Sequence, residues 1–317
     1  MSNTNPRKVA IIGCGFVGST IAFSLMQSGL FNEMVLIDRN IDKAEGEALD
    51  ISHAMTFSHP LSIYAGTYDD INDASILIIT AGAAQLPGET RLDLVHKNVG
   101  IFKSIIPEIK KRNYPGIILV VSNPVDILTQ VTLKLSGFPA HRVIGSGTVL
   151  DTARFKYILG EHLDVDPRHV HARIIGEHGD SEIAIWSTAN VAGVPIHDYC
   201  ELQGHFKHKE ASLRIAEDVK NSAYEIIQKK HATYYGIAMA VKRICEAIIR
   251  DEKSVLPVSN HQDTCLGIND IVLSMPAAIG SKGILYQVPV HLNSQEEQQL
   301  QTSAEALKAI FESLNLD

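Results

Sequence analysis

The feature that most constrains this chain is an alternation in its first half. Short runs of β-branched and apolar residues recur at 8–13, 33–38, 74–82, 116–124 and 141–147. Patterns of helical period separate them, at 16–30, 42–55, 93–112 and 125–137. The runs are continuously apolar instead of alternating, which marks strands buried on both faces of a parallel sheet. Strand–helix alternation then predicts a doubly wound, Rossmann-type α/β domain.

From about residue 148 the pattern changes. A helix at 148–163 precedes a strand pair across 170–187, and long helices cover 208–230 and 234–251. Strand-like runs at 255–260, 264–280 and 283–292 are spaced as an antiparallel meander. A closing helix is expected from Ser294, with Glu297 in capping-box spacing and a stripe of Leu300, Ala304, Leu307, Phe311 and Leu314. The expected division is a dinucleotide-binding domain over 1–147 and an α+β substrate domain with antiparallel strands over 148–317.

A chain of 317 residues has room for two such domains at roughly 150 residues each. The net charge of −8 argues against nucleic acid or an anionic membrane surface as partner, though not against small anions. Cys14, Cys200, Cys245 and Cys265 lie far apart without a C-x-x-C pair, as expected for reduced thiols in the cytoplasm. The polar start "MSNTNPRKVA" does not read as a signal peptide, and no apolar run reaches the roughly 18 residues of a membrane span.

Motifs sit at the strand ends. "GCGFVG" places Gly13, Gly15 and Gly18 in G-x-G-x-x-G spacing between a strand and a helix, where backbone amides attract a pyrophosphate. Asp38 ends the next strand, 20 residues after Gly18, and can accept from both hydroxyls of an adenine ribose while repelling a 2′-phosphate. The pairing predicts NAD as cofactor. "AGAAQLPGETRLDL" after the third strand has the glycine, proline and polar content of a lid, up to Arg91. "VSNPVD" puts Asn123 on the same rim, as a site residue or a plain turn residue.

Asp151 and Arg154 in "GSGTVLDTARF" share a helix face, either as a solvated surface pair or as buried partners for a histidine and an anion. "RIIGEHGDSE" holds His178 between glycines and carboxylates. That histidine reads as proton donor, metal ligand or polar loop residue. His169, His171 and Arg173 alternate along a predicted strand, as a solvated face or an anion row. Neither that H-x-H nor "HFKHK" has a cysteine or carboxylate completing a ligand set, so no metal is expected.

Taken in order, "GCGFVG", Asp38, "GETRLDL", "SNPVD", "LDTARF" and "IIGEHGDSE" resemble the bacterial-type NAD-dependent L-lactate dehydrogenases of the lactate/malate dehydrogenase family, over nearly the whole chain. The resemblance implies that Gly13, Gly15, Phe16, Val17, Gly18, Asp38 and Asn123 contact NAD. It implies His178 as acid–base residue, Asp151 as its partner, Arg91 as the group polarising the carbonyl, and Arg154 as clamp for the substrate carboxylate. Gln85 stands where malate enzymes of the family carry Arg, and Thr233 matches the lactate-type pattern, so pyruvate and L-lactate are the implied substrates. Leu86 departs from the polar residue usual there and leaves larger 2-oxo acids open. A cytoplasmic homotetramer is implied, with a fructose 1,6-bisphosphate effector site at His171 and at Lys156, where the family's allosteric members carry Arg.

Overall fold

The computed structural model describes residues 4–83, 90–263 and 266–316, apart from the side chain of Arg91. Gln85 and Leu86 therefore lie outside the described residues, as does Cys265.

The first half runs β1 (Asn5–Ile12), α1 (Phe16–Ser28), β2 (Glu33–Ile37), α2 (Ile41–Ala54), β3 (Ser62–Ala65), β4 (Ala74–Ile79), α3 (Arg91–Lys111), β5 (Ile117–Val120), α4 (Val125–Ser136) and β6 (Val143–Gly145). These six strands are parallel and lie in the order β3-β2-β1-β4-β5-β6. The chain winds outward from β1 to β3, then returns to place β4 on the other side of β1. That reversal opens a crevice beyond the carboxyl ends of β1 and β4.

The continuous apolar strands have the reason expected of them. Ala10, Ile12, Leu77 and Ile79 enter one core with Phe102 and Ile106 of α3 and Leu128 of α4. Their neighbours Val9, Ile11, Ile76 and Ile78 enter a second core with Ile21 and Leu25 of α1. Both faces of each strand are thus removed from water, and trimming one of these Ile, Leu or Phe side chains to Ala costs about 2–5 kcal/mol.

The second half runs α5 (Val149–Leu163), β7 (Val170–Gly176), β8 (Glu182–Val191), β9 (Val194–Pro195), α6 (Ile196–Leu202), α7 (His208–Lys230), α8 (Tyr235–Ile249), β10 (Ser254–Gln262), β11 (Ile271–Gly280), β12 (Gly283–Gln287) and α9 (Ser294–Ser313). All its strand pairs are antiparallel. A third core of Phe155, Leu159, Ile174 and Ile215 joins α5, β7 and α7. The antiparallel strands extend the parallel sheet. Ser259 of β10 pairs with Gly145 of β6, and Ser274 of β11 pairs with Gly176 of β7, giving one sheet ordered β3-β2-β1-β4-β5-β6-β10-β11-β7-β8-β9 with β12 on β11.

Three expectations are corrected. The strands β3 and β9 and the helix α6 were not anticipated. The closing helix is capped one residue earlier than expected, by Asn293, whose side chain accepts from Glu296 N–H while Glu296 accepts from Asn293 N–H. The run at 264–280 becomes strand only from Ile271. Among the described residues no helix is long and apolar enough to cross a membrane.

Candidate active site

At the crevice, the turn after β1 sets the first half of the site. Gly13 has φ +102°, and a Cβ there would lie 2.6 Å from the backbone nitrogen of Ala81. A Cβ on Gly18 would lie 1.9 Å from the Gly13 carbonyl oxygen, so only glycine lets α1 pack this close to the turn. Gly15 differs: a Cβ built on it meets nothing within 4 Å among the described residues. It opens onto free space at the N-terminus of α1, which has no side-chain cap. Asp38 follows β2, and its Oδ2 accepts from the Cys14 N–H at 2.7 Å while Oδ1 accepts from the Asn40 N–H at 3.0 Å. The carboxylate is thereby held beside the turn. The open space at Gly15, the uncapped N-terminus of α1 and the fixed acid fit a dinucleotide's pyrophosphate and adenine ribose.

Val17 is half-buried against the α1 core, whereas Phe16 is exposed and stacks on Tyr234 at 5.5 Å between ring centroids. Thr233, next to Tyr234, is half-buried in the segment between α7 and α8. Asn123 follows β5 with an exposed side chain, and Arg91 is the first residue of α3, directly after Thr90, which forms a capping box with Asp93. Asn123 and Arg91 so stand on the same sheet edge as the turn, at the carboxyl ends of β5 and β4.

His178 lies in the loop between β7 and β8 with about 24% of its side chain exposed. Its Nδ1 is 2.6 Å from Oδ2 of Asp151, a residue of the first turn of α5 that is almost fully buried. An ionised carboxylate only accepts, so Nδ1 carries the hydrogen and Nε2 is the nitrogen whose proton can change. Arg154 Nη1 donates to the other oxygen of Asp151 at 2.8 Å. Among the described residues Nε and Nη2 of Arg154 have no hydrogen-bond partner. They leave a planar edge for an anion.

These neighbours set the charges. Burial works against an ionised Asp151, but His178 and Arg154 outweigh it and hold its carboxyl below the usual range. Burial likewise works against a cationic His178, and the charge and hydrogen bond of Asp151 outweigh it, raising the imidazole to about 9. Glu182, at the start of β8, has one oxygen within 4.8 Å of a ring nitrogen of His178 and an oxygen of Asp151. Burial, then the Asp151 charge, push its carboxyl up to about 8, so it keeps its proton near neutrality. Two adjacent carboxyls are thus driven apart, one ionised and one neutral.

The carboxylates flanking His178 in sequence face elsewhere. Glu177 accepts from the Ser181 hydroxyl at 2.5 Å, and Asp180 accepts from the Tyr224 hydroxyl at 3.3 Å. A further acid at His178 is Asp126 of α4, which sequence reasoning missed although "SNPVD" contains it. Asp126 is buried, and its Oδ2 accepts from the His178 backbone N–H at 2.7 Å. Its Oδ1 accepts from the hydroxyls of Ser259 (2.6 Å) and Ser274 (3.1 Å). Burial raises its carboxyl to about 6. An acid early in a helix after a Pro looks like an ordinary cap, and nothing local reports partners on β10 and β11.

Residues 7–145 match the lactate/malate dehydrogenase NAD binding domain, and residues 148–315 match the alpha/beta C-terminal domain of the same family. The chain belongs to the lactate/malate dehydrogenase family. It is an NAD-dependent oxidoreductase by that membership, with NAD as cofactor. It is 53% identical over 307 residues to L-lactate dehydrogenase 1 of Clostridium acetobutylicum, covering 97% of this chain and 98% of that one. It is 54% identical over 310 residues to an L-lactate dehydrogenase of Acetivibrio thermocellus, covering 98% of both. Its structure is similar to the ligand-bound crystal structure of the minor L-lactate dehydrogenase from Enterococcus mundtii, with a TM-score of 0.94 at 45% identity over 98% of this chain and 99% of that one.

The candidate effector residues lie apart from this site. His171 and Arg173 are exposed on one face of β7, and Lys156 is half-buried on α5, which packs against β7. Burial first, and then the Arg173 charge, lower the Lys156 ammonium below its usual value.

Proposed function

We propose that this chain is an L-lactate dehydrogenase that interconverts pyruvate and L-lactate, with His178 moving the proton. The His178–Asp151–Arg154 chain of contacts carries the reading, and the L-lactate dehydrogenases to which the chain is similar support the substrate. Bound NADH supplies the hydride. His178, protonated near neutrality, gives its Nε2 proton to the substrate oxygen, while the Nδ1–H keeps its hydrogen bond to Asp151. The cation that His178 loses is the one Asp151 had stabilised, so the same pair takes the proton back when L-lactate is oxidised. Arg154 holds the substrate carboxylate with the edge that Asp151 leaves open, and Arg91 polarises the carbonyl from the start of α3. On this reading Asn123 contacts the substrate oxygen and the nicotinamide region, and Thr233 closes the side-chain end of the pocket. Gln85, being neutral, leaves a second carboxylate without a partner, which disfavours oxaloacetate.

The finer proposal is a cytoplasmic homotetramer activated by fructose 1,6-bisphosphate. Its support is the row His171, Arg173 and Lys156, in which an unfavourably placed ammonium gains from any phosphate that binds beside it. Initial rates with NADH and pyruvate test both levels. The expected result is turnover that His178→Asn lowers by about a hundredfold or more with NADH affinity kept, and a pyruvate saturation curve that the bisphosphate moves to lower concentration. Near-normal turnover in the variant would remove His178 from the reaction, and superimposable curves would end the effector proposal.

A further inference from the structure

The described loops around the crevice meet at one side chain, that of Asn98. It lies on α3 with 1% of its surface exposed. Its Oδ1 accepts from the Ala83 N–H at 2.7 Å, and its Nδ2 donates to the Ala83 carbonyl at 3.3 Å and to the Asn123 carbonyl at 2.7 Å. Reading the N–H and C=O of one residue together fixes that residue's orientation, as a neighbouring strand would. Ala83 is the last described residue before the segment that holds Gln85. Asn98 is also seven residues from Arg91, two turns along one helix and so on the same face.

We infer that Asn98 is a positioning residue that locks the root of the substrate loop, the Asn123 rim and the helix bearing Arg91 into one frame. The inference rests on the reading of Gln85, Arg91 and Asn123 as substrate-site residues. Only an amide of this length serves. Leu fills the space and pairs with nothing, leaving buried backbone groups unsatisfied. An ionised Asp keeps the bond from Ala83 N–H but turns an acceptor toward two carbonyls. A neutral Asp carries one O–H and restores one of those bonds.

Asn98→Leu and Asn98→Asp are to be assayed beside the parent enzyme for pyruvate reduction and NADH affinity. Asn98→Leu is expected to lose about tenfold or more in kcat/KM for pyruvate, with the NADH dissociation constant within about twofold. The activity of Asn98→Asp, taken as a ratio to the parent at each pH, is expected to rise several-fold as pH falls and the new carboxyl gains its proton. A ratio flat with pH, or NADH affinity falling in step with kcat/KM, would overturn the inference and leave Asn98 a general packing residue. Hydrogen exchange keeps the test separate from the identity of the substrate. The Ala83 amide is expected to exchange slowly in the parent and at least about tenfold faster in Asn98→Leu, with the amides of α1 unchanged. An Ala83 amide that exchanges alike in both would equally overturn it. A parent that reduces no pyruvate would fail the functional proposal alone.

Discussion

At the scale of single residues, the imidazole of His178 is tuned by an ionised carboxylate at 2.6 Å, and its acid–base behaviour follows from that. Reduction of a 2-oxo acid needs His178 protonated, so its rate should be level at neutral pH and fall as pH rises through about 9. Oxidation of a 2-hydroxy acid needs the neutral ring and should rise over the same interval. Asp151→Asn removes the charge that raises His178, so both profiles should break lower, toward the ordinary value of 6.5. Measuring kcat/KM against pH for parent and variant in both directions checks this; an unmoved break would detach the titration from the Asp151 pair. Spacing within one helix was enough to read Asp151 and Arg154 as neighbours, because helical geometry is local. Asp126 and Asn98 were not legible, since their partners lie on other elements and leave no local period.

At the scale of elements, Glu296 illustrates why helix ends are read only to within a residue. It closes the capping box of α9 and also accepts from the Trp186 and Ser187 N–H groups of β8, at 2.9 and 3.0 Å, and from the Ser187 hydroxyl at 2.5 Å. Ser294 with Glu297 and Asn293 with Glu296 have the same spacing, and only the second glutamate finds a strand to cap against. Glu296→Ala leaves several part-buried donors without their acceptor and should destabilise the fold by about 1–3 kcal/mol in urea unfolding. A loss under about 1 kcal/mol would mean water replaces the carboxylate. The elements that escaped the sequence share a cause. β3 is four residues at the sheet edge with partly exposed side chains, and α6 is seven residues. Neither is long enough to show a period.

At the scale of the whole molecule, the first-half pattern was enough to read the parallel sheet, because burial on two faces writes itself into composition. The join to the antiparallel half was not legible, since its register pair, Ser259 with Gly145, joins residues more than a hundred positions apart along the chain. The same half packs histidines from several segments together. His162 of α5 stacks on His205 at 4.5 Å, and His197 of α6 meets His208 of α7 at 5.2 Å, around a cavity of about 20 Å³. His162 Nε2 and His208 Nδ1 are buried there without hydrogen-bond partners among the described residues. Burial first, then the charges of His205 and Arg214, lower His162 below 6.5. The folded state therefore binds fewer protons than the unfolded chain. Stability is complete above about pH 6.5 and is lost as pH falls through that value toward the folded pKa. Thermal midpoints should drop between pH 7 and 5, and His162→Phe should flatten the drop; an equal slope in both proteins would place the acid sensitivity elsewhere.

The three bonds on Asp126 have a consequence for the order in which the protein acquires competence during synthesis. The nucleotide turn and Asp38 are braced within the first 81 residues, by the Thr80 hydroxyl on the Gly13 carbonyl and the Ala81 N–H on the Ile12 carbonyl. The backbone of His178 is anchored by a carboxylate whose other partners are Ser259 and Ser274, and the Glu177 N–H beside it rests on Ser303. A nascent chain can thus shape a cofactor cradle long before it can hold a proton donor in place, and the final helix is the last tumbler in that lock.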